Sequence, residues 1–91
     1  MYVQQTTVVN PTGLHARPAA EFCKIAGNYS SKITVKRLTE EPKEGNGKSV
    51  ISVMTLCLPK GTAIEITAEG DDEKEAVQTL AALVESGFGE I

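Results

Sequence analysis

An α+β fold, with one antiparallel sheet carrying helices on one face, is predicted by three observations. Short β-branched segments are interleaved with helical ones along the 91 residues. Each predicted strand is apolar on one face only, as expected of a sheet with one side packed and the other in solvent. The last helix places its apolar residues at helical spacing, so it has a single face to bury.

Residues 2–9 are rich in β-branched types and read as the first strand, stopped by Asn10-Pro11-Thr12-Gly13. Residues 16–26 read as a helix, with Phe22, Cys23, Ile25 and Ala26 on its apolar face and Gly27-Asn28 at its end. In residues 32–38, Ile33 and Val35 alternate with Lys32, Thr34 and Lys36, the pattern of a half-buried strand. Residues 39–47 are polar, with Pro42, Gly45 and an Asn46-Gly47 turn pair. Residues 49–56 fit helix or strand by periodicity. Ser49 ahead of the apolar run is a suitable N-cap and favours a short helix with Val53 and Leu56 in the core. After Pro59-Lys60-Gly61, Ile64, Ile66 and Ala68 alternate with Glu65 and Thr67 as a further strand. The last helix opens on Asp71, Asp72, Glu73 and Glu75, where the helix dipole favours negative charge. It buries Ala76, Val77, Leu80, Leu83 and Val84 and ends at Gly87 as C′ residue.

A chain of this length makes one domain, here residues 1–91, with one modest core. The formal net charge of −3 and the small aromatic content, two Tyr, two Phe and no Trp, argue against nucleic acid or an anionic membrane as partner. No apolar run approaches the ~20 residues of a membrane span. The first residues lack a basic and then apolar leader, so a cytoplasmic protein is expected. Cys23 and Cys57 form no CxxC and have one histidine between them to share a metal. They are expected to be buried, inert thiols, and no metal or other cofactor is expected.

The chemical interest lies where the first turn becomes a helix. His15 is the only histidine. The first amides of a helix lack intrahelical partners, and the dipole adds partial positive charge there, so the position attracts phosphate. Arg17 can give bidentate, charge-assisted hydrogen bonds to a phosphate. Pro18 suits the first turn because its missing N–H would be unpaired anyway. Small residues at 16, 19 and 20 are expected to let a partner surface approach. Neutral imidazole is a nucleophile, so these residues suit transient phosphorylation of a ring nitrogen. Glycine-rich phosphate loops and Ser/His/Asp or paired-carboxylate sets are absent from the sequence.

Residues 10–20, NPTGLHARPAA, strongly resemble the active-site segment of the HPr family. Its members are the histidine phosphocarriers of the bacterial phosphoenolpyruvate-dependent sugar phosphotransferase system. Residues 48–56, KSVISVMTL, resemble that family's second signature, and the resemblance covers nearly the whole chain. It implies an open-faced β-sandwich of four antiparallel strands with three helices on one face. It implies a phosphoryl carrier rather than an enzyme. His15 then matches the histidine phosphorylated on Nδ1 by enzyme I, and Arg17 the arginine that contacts the phosphate. Thr12, Ala16 and Pro18 match the positions around that phosphate. The next acceptors would be sugar-specific enzyme II A components of the transporters.

By the same resemblance, Ser49 matches the serine that an ATP-dependent HPr kinase/phosphorylase modifies in Gram-positive-type members. The modified form binds a catabolite-control transcription regulator. Ala20, Val50, Ile51 and Met54 match a partner-docking patch, in which Met suits a surface that meets several partners. A monomer without membrane insertion is expected. Two alternatives share the motif: an HPr-like regulatory paralogue acting through protein–protein contact, and a nitrogen-branch carrier. One departure stands out. Gly45 and Gly47 occupy positions where apolar strand residues are expected, so a ragged third strand or a longer loop is predicted there.

Overall fold

Residues 1–90 are described by the computed structural model. The elements run β1 (Tyr2–Thr7), α1 (Ala16–Ala26), β2 (Lys32–Arg37), β3 (Lys43–Asn46), α2 (Val50–Thr55), β4 (Ala63–Glu69) and α3 (Glu73–Glu85), followed by a short 3-10 turn, Gly87–Gly89. The four strands form one antiparallel sheet in the order β1-β4-β2-β3. Both central strands alternate: Ile33 and Val35 of β2, with Ile64, Ile66 and Ala68 of β4, are buried on the helix side. On the other face Lys32, Glu65, Thr67 and Glu69 border a shallow polar groove, so the predicted open face is present.

The helices complete the core with the residues their spacing selects. From α1 come Ala19, Phe22, Cys23 and Ala26, from α2 Val53, and from α3 Ala76, Val77, Leu80, Ala81 and Val84. Ala81 takes a core place that the sequence reading assigned to Leu83, which is half-buried. Gly87, at φ +70°, ends α3 in the left-handed conformation glycine adopts without Cβ strain. Asp72 does not cap α3 with its side chain. It reaches across to the loop after α1, accepting from the Ser30 and Ser31 amides at 2.9 and 3.0 Å and from the Ser31 hydroxyl. These bonds, the Ser31 hydroxyl first, hold the Asp72 carboxyl below the ordinary carboxylate range.

The third strand is neither ragged nor replaced. β3 pairs with β2 over Thr34–Asn46 to Arg37–Lys43. Gly45 in this strand and Gly47 in the turn after it each have a packing cause. A Cβ on Gly45 would lie 3.1 Å from the Ser52 carbonyl oxygen and 3.4 Å from a Leu56 methyl, so α2 settles directly on this strand. At Gly47 a Cβ would lie 2.5 Å from the Ile33 Cγ2 and 3.1 Å from its Cβ. An apolar side chain at either position would lift α2 or displace Ile33, so the pattern expected of an ordinary strand does not apply.

The cysteines divide. Cys23 is buried as expected, and burial pushes its thiol pKa up. Cys57 is exposed, against the prediction. It follows the end of α2 at φ 54°, and that left-handed turn swings its side chain outward, while Leu56 and Leu58 on either side enter the core. Apolar neighbours in sequence therefore did not imply burial at position 57.

Replacing Gly47 with Ala should destabilise the fold by about 1–3 kcal/mol through overpacking against Ile33. Urea unfolding measures this, and an unchanged midpoint would contradict the packing account.

Candidate functional site

His15 lies outside the core because its neighbours on both sides are held. Leu14 is buried at 2% exposure, and its amide donates to the Leu58 carbonyl at 2.9 Å. Gly13 has φ +69°, and a Cβ there would lie 2.9 Å from Pro59 Cα and closer still to the Leu58 carbonyl oxygen, so only glycine fits this crossing. On the other side the first α1 bond runs from the Ala19 amide to the His15 carbonyl at 3.2 Å. His15 is thus the N-cap residue, extended at φ −115° and ψ 164°, and its side chain makes no capping bond. The imidazole is exposed, and the Ala16 and Arg17 amides beside it precede the first intrahelical bond. Ala16 itself has φ +21°, a sparsely populated conformation for a residue with a Cβ and a local strain at the entry to the helix.

The predicted residues divide by exposure. Thr12, Ala16, Arg17 and Ala20 are exposed with His15. Pro18 is buried in the first turn, and Ala19 faces the core, so of the small residues at 16, 19 and 20 only Ala16 and Ala20 offer a surface to a partner. Thr12, Ala16, Arg17, Pro18 and His15 all border one open cavity of about 300 Å³. A second, of about 360 Å³, joins His15 and Thr12 to Met54 and Cys57.

Glu90 is a further member of the first cavity that the sequence reading missed. The chain turns back after α3 through Gly87, Phe88 and Gly89, all at positive φ. The Glu90 carboxylate accepts from the Thr12 hydroxyl at 2.9 and 2.8 Å, from the Thr12 amide at 3.4 Å and from Asn10 Nδ2 at 3.3 Å. The Thr12 hydroxyl contributes most to holding the Glu90 carboxyl below its usual range. Desolvation opposes it, and the Asn10 amide, the Thr12 amide and the Arg17 charge add to it. Nothing in the local sequence signals this contact, since Thr12 and Glu90 are 78 positions apart. Only the path of the chain after α3 brings them together.

Ser49 stands apart from that cavity, at the N-cap of α2, where its Oγ accepts from the Ser52 amide at 3.3 Å. It is half-buried, and the turn before it is held by Ser49 N donating to the Asn46 carbonyl and Lys48 N to Asn46 Oδ1. Of the predicted docking residues, Ile51 is 78% exposed. Val50 and Met54 are half-buried and pack against the core, so they offer edges rather than whole side chains. Among the described residues no cluster of three or more His, Cys, Asp or Glu is placed to hold a metal, and no helix is long and apolar enough to cross a membrane.

Comparison with known proteins agrees with the fold and the motif. Residues 2–86 match the family described as "PTS HPr component phosphorylation site". The chain is 44% identical over 85 residues to the phosphocarrier protein HPr of Vibrio cholerae, covering 93% of this chain and 96% of that one. It is 43% identical over 84 residues to that of Haemophilus influenzae, covering 92% and 95%. The crystal structure of HPr-C-His from Thermoanaerobacter tengcongensis superposes with a TM-score of 0.91 at 43% identity, covering 100% of this chain and 99% of that one. The chain therefore belongs to the HPr family, the phosphocarrier proteins of the phosphotransferase system.

Because its folded value is depressed, the Glu90 contact adds stability above the ordinary carboxylate pKa of about 4 and loses it as pH falls through the folded value. Thr12→Val should raise the Glu90 carboxyl pKa toward the ordinary range, read by carbon-13 NMR titration. An unmoved titration would show that the hydroxyl is not what holds it.

Proposed function

We propose that His15 is the phosphoacceptor, charged by the phosphoenolpyruvate-dependent enzyme I and discharged to enzyme II A components of sugar transporters. The supporting observation is its exposed imidazole at the start of α1, sharing one cavity with Arg17 and Thr12. In each transfer a ring-nitrogen lone pair forms the N–P bond as the bond to the donor breaks, and delivery reverses the step. Arg17 supplies charge to the phosphoryl oxygens through its guanidinium. Thr12 and the free Ala16 and Arg17 amides supply further donors, and Pro18 keeps the first turn rigid without needing a bond of its own. A carrier must release what it binds, and an exposed ring with exposed donors suits handing phosphate between two protein surfaces. Ala20, Ile51 and the edges of Val50 and Met54 provide apolar contact around that ring.

Incubation with enzyme I and phosphoenolpyruvate should place one acid-labile phosphate on the protein, visible by phosphorus NMR and lost in His15→Ala. Full-rate labelling of His15→Ala would overturn the assignment. Arg17→Ala should slow transfer by a factor of ten or more, as when one donor to a developing anion is removed, roughly 10²–10³ in well-studied cases.

Ser49 is proposed as a regulatory phosphorylation site for an HPr kinase/phosphorylase. Its position at the start of α2 and its half-exposed hydroxyl support the reading. A phosphate there adds about −1.5 to −2 charge near the docking edge formed by Ile51 and Met54, and that charge would alter which partner docks, including a catabolite-control regulator. With the kinase and ATP, an acid-stable phosphate absent from Ser49→Ala is expected. No incorporation at Ser49 would remove the regulatory claim and leave the carrier role intact. A purely regulatory paralogue is the weaker reading, because it gives the exposed His15 and its donors no task.

A further inference from the structure

We infer that Asn10 is a positioning residue for phosphoryl transfer: its side-chain amide sets the Thr12 hydroxyl as a donor toward whichever anion occupies the cavity beside His15. This rests on the carrier reading above. Asn10 is completely buried, although it lies in a polar turn. Its Nδ2 donates to the Gly13 carbonyl at 2.8 Å, to Thr12 Oγ1 at 3.3 Å and to Glu90 Oε1 at 3.3 Å. Its Oδ1 is buried with no partner. The Gly13 carbonyl and the Glu90 carboxylate can only accept, so the reversed amide would set its oxygen against both of them. The orientation is chemically compelled, and the unpaired Oδ1 is the cost of keeping the NH₂ group where it is.

The consequence lies at Thr12. A hydroxyl has one hydrogen and two lone pairs. Asn10 occupies a lone pair of Thr12 Oγ1, which leaves the hydrogen for an anion on the other side. In the free protein that anion is the Glu90 carboxylate, at 2.8 and 2.9 Å. Glu90, Thr12, Arg17 and His15 border the same cavity, so the carboxylate already sits on donors that a phosphoryl group on His15 would need. Two anions cannot share one hydroxyl hydrogen without repulsion. Charging His15 therefore displaces the Glu90 carboxylate from Thr12, and the hydroxyl, still held as a donor by Asn10, passes to a phosphoryl oxygen. Asn10 also fixes the Gly13 carbonyl, two residues before the imidazole. It thus sets both the donor and the loop without touching the phosphate.

Asn10→Asp is the near-isosteric test. Its carboxylate would accept the Thr12 hydrogen, turn the hydroxyl lone pairs toward the cavity and repel Glu90. Phosphoryl transfer from phosphorylated enzyme I is measured with carrier concentration varied, for the natural protein, Asn10→Asp, Thr12→Val and the double variant, each checked by thermal melting. The expected result is a kcat loss of about tenfold or more in Asn10→Asp with KM nearly unchanged, and little further loss when Asn10→Asp is added to Thr12→Val. The Glu90 carboxyl pKa should rise in Asn10→Asp by carbon-13 NMR. Natural kcat in Asn10→Asp, or an equal loss with and without the Thr12 hydroxyl, overturns the inference. If Asn10→Asp melts below the assay temperature, Asn10→Ala takes its place in the same cycle, with the same two outcomes decisive. Failure of the natural protein to accept any phosphate would sink the carrier reading and this one together. Normal charging with an indifferent Asn10→Asp sinks this one alone.

Discussion

The bond from the Leu14 amide to the Leu58 carbonyl, with both side chains buried beside it, is the constraint on which the site depends. It joins the turn after β1 to the segment after α2, so the start of α1 is placed by the far half of the chain. Two more bonds brace the same crossing, Val8 to the Thr62 carbonyl and Gly61 to the Val8 carbonyl. Gly13 lets the backbones approach that closely, because a Cβ there would collide with residues 58 and 59. With Leu14 driven inward and Pro18 and Ala19 packed below, His15, Ala16 and Arg17 are left facing solvent. The His15 ring is thus exposed by the burial of its neighbours, and its own preferences play little part.

The same logic governs α2. Gly45 lets this six-residue helix sit on β3, and Arg37 secures its far end by donating to the Leu56 carbonyl at 2.5 Å and to the Glu41 carbonyl at 2.8 Å. An isolated helix so short is not stable in water. Tertiary contact makes Ser49 an N-cap and leaves Ile51 on the surface. His15 at the start of α1 and Ser49 at the start of α2 thus stand on helices that meet, and both helices depend on the sheet beneath.

The site is open, with a few polar groups set among apolar ones, which suits a carrier. Its donors include Arg17, the Thr12 hydroxyl and two first-turn amides, and an internal carboxylate already rests on one of them. A phosphoryl group bound in such a place exchanges one set of hydrogen bonds for another and needs no closed pocket. In the proposed function, carriage and release would both use donors that remain reachable by a partner.

Periodicity alone was enough to read the strands at Ile33, Val35, Ile64, Ile66 and Ala68 and the helices around Phe22 and Leu80, because alternation and helical spacing report directly on which face is buried. The motif around His15 was legible for a similar reason, since its helix-start chemistry is local in the chain. What the sequence could not reveal depended on segments meeting across the fold. Gly45 and Gly47 looked wrong for a strand until α2 and Ile33 occupied the space a side chain would need. Cys57 looked buried until a left-handed turn swung it outward. Glu90 carried no signal, because hydrogen bonds to residues some 80 positions away leave no periodic trace. Local patterning determined the elements and the place of His15 at a helix start; the tertiary structure decided which groups surround that residue, because only the closed sheet sets the distances between them.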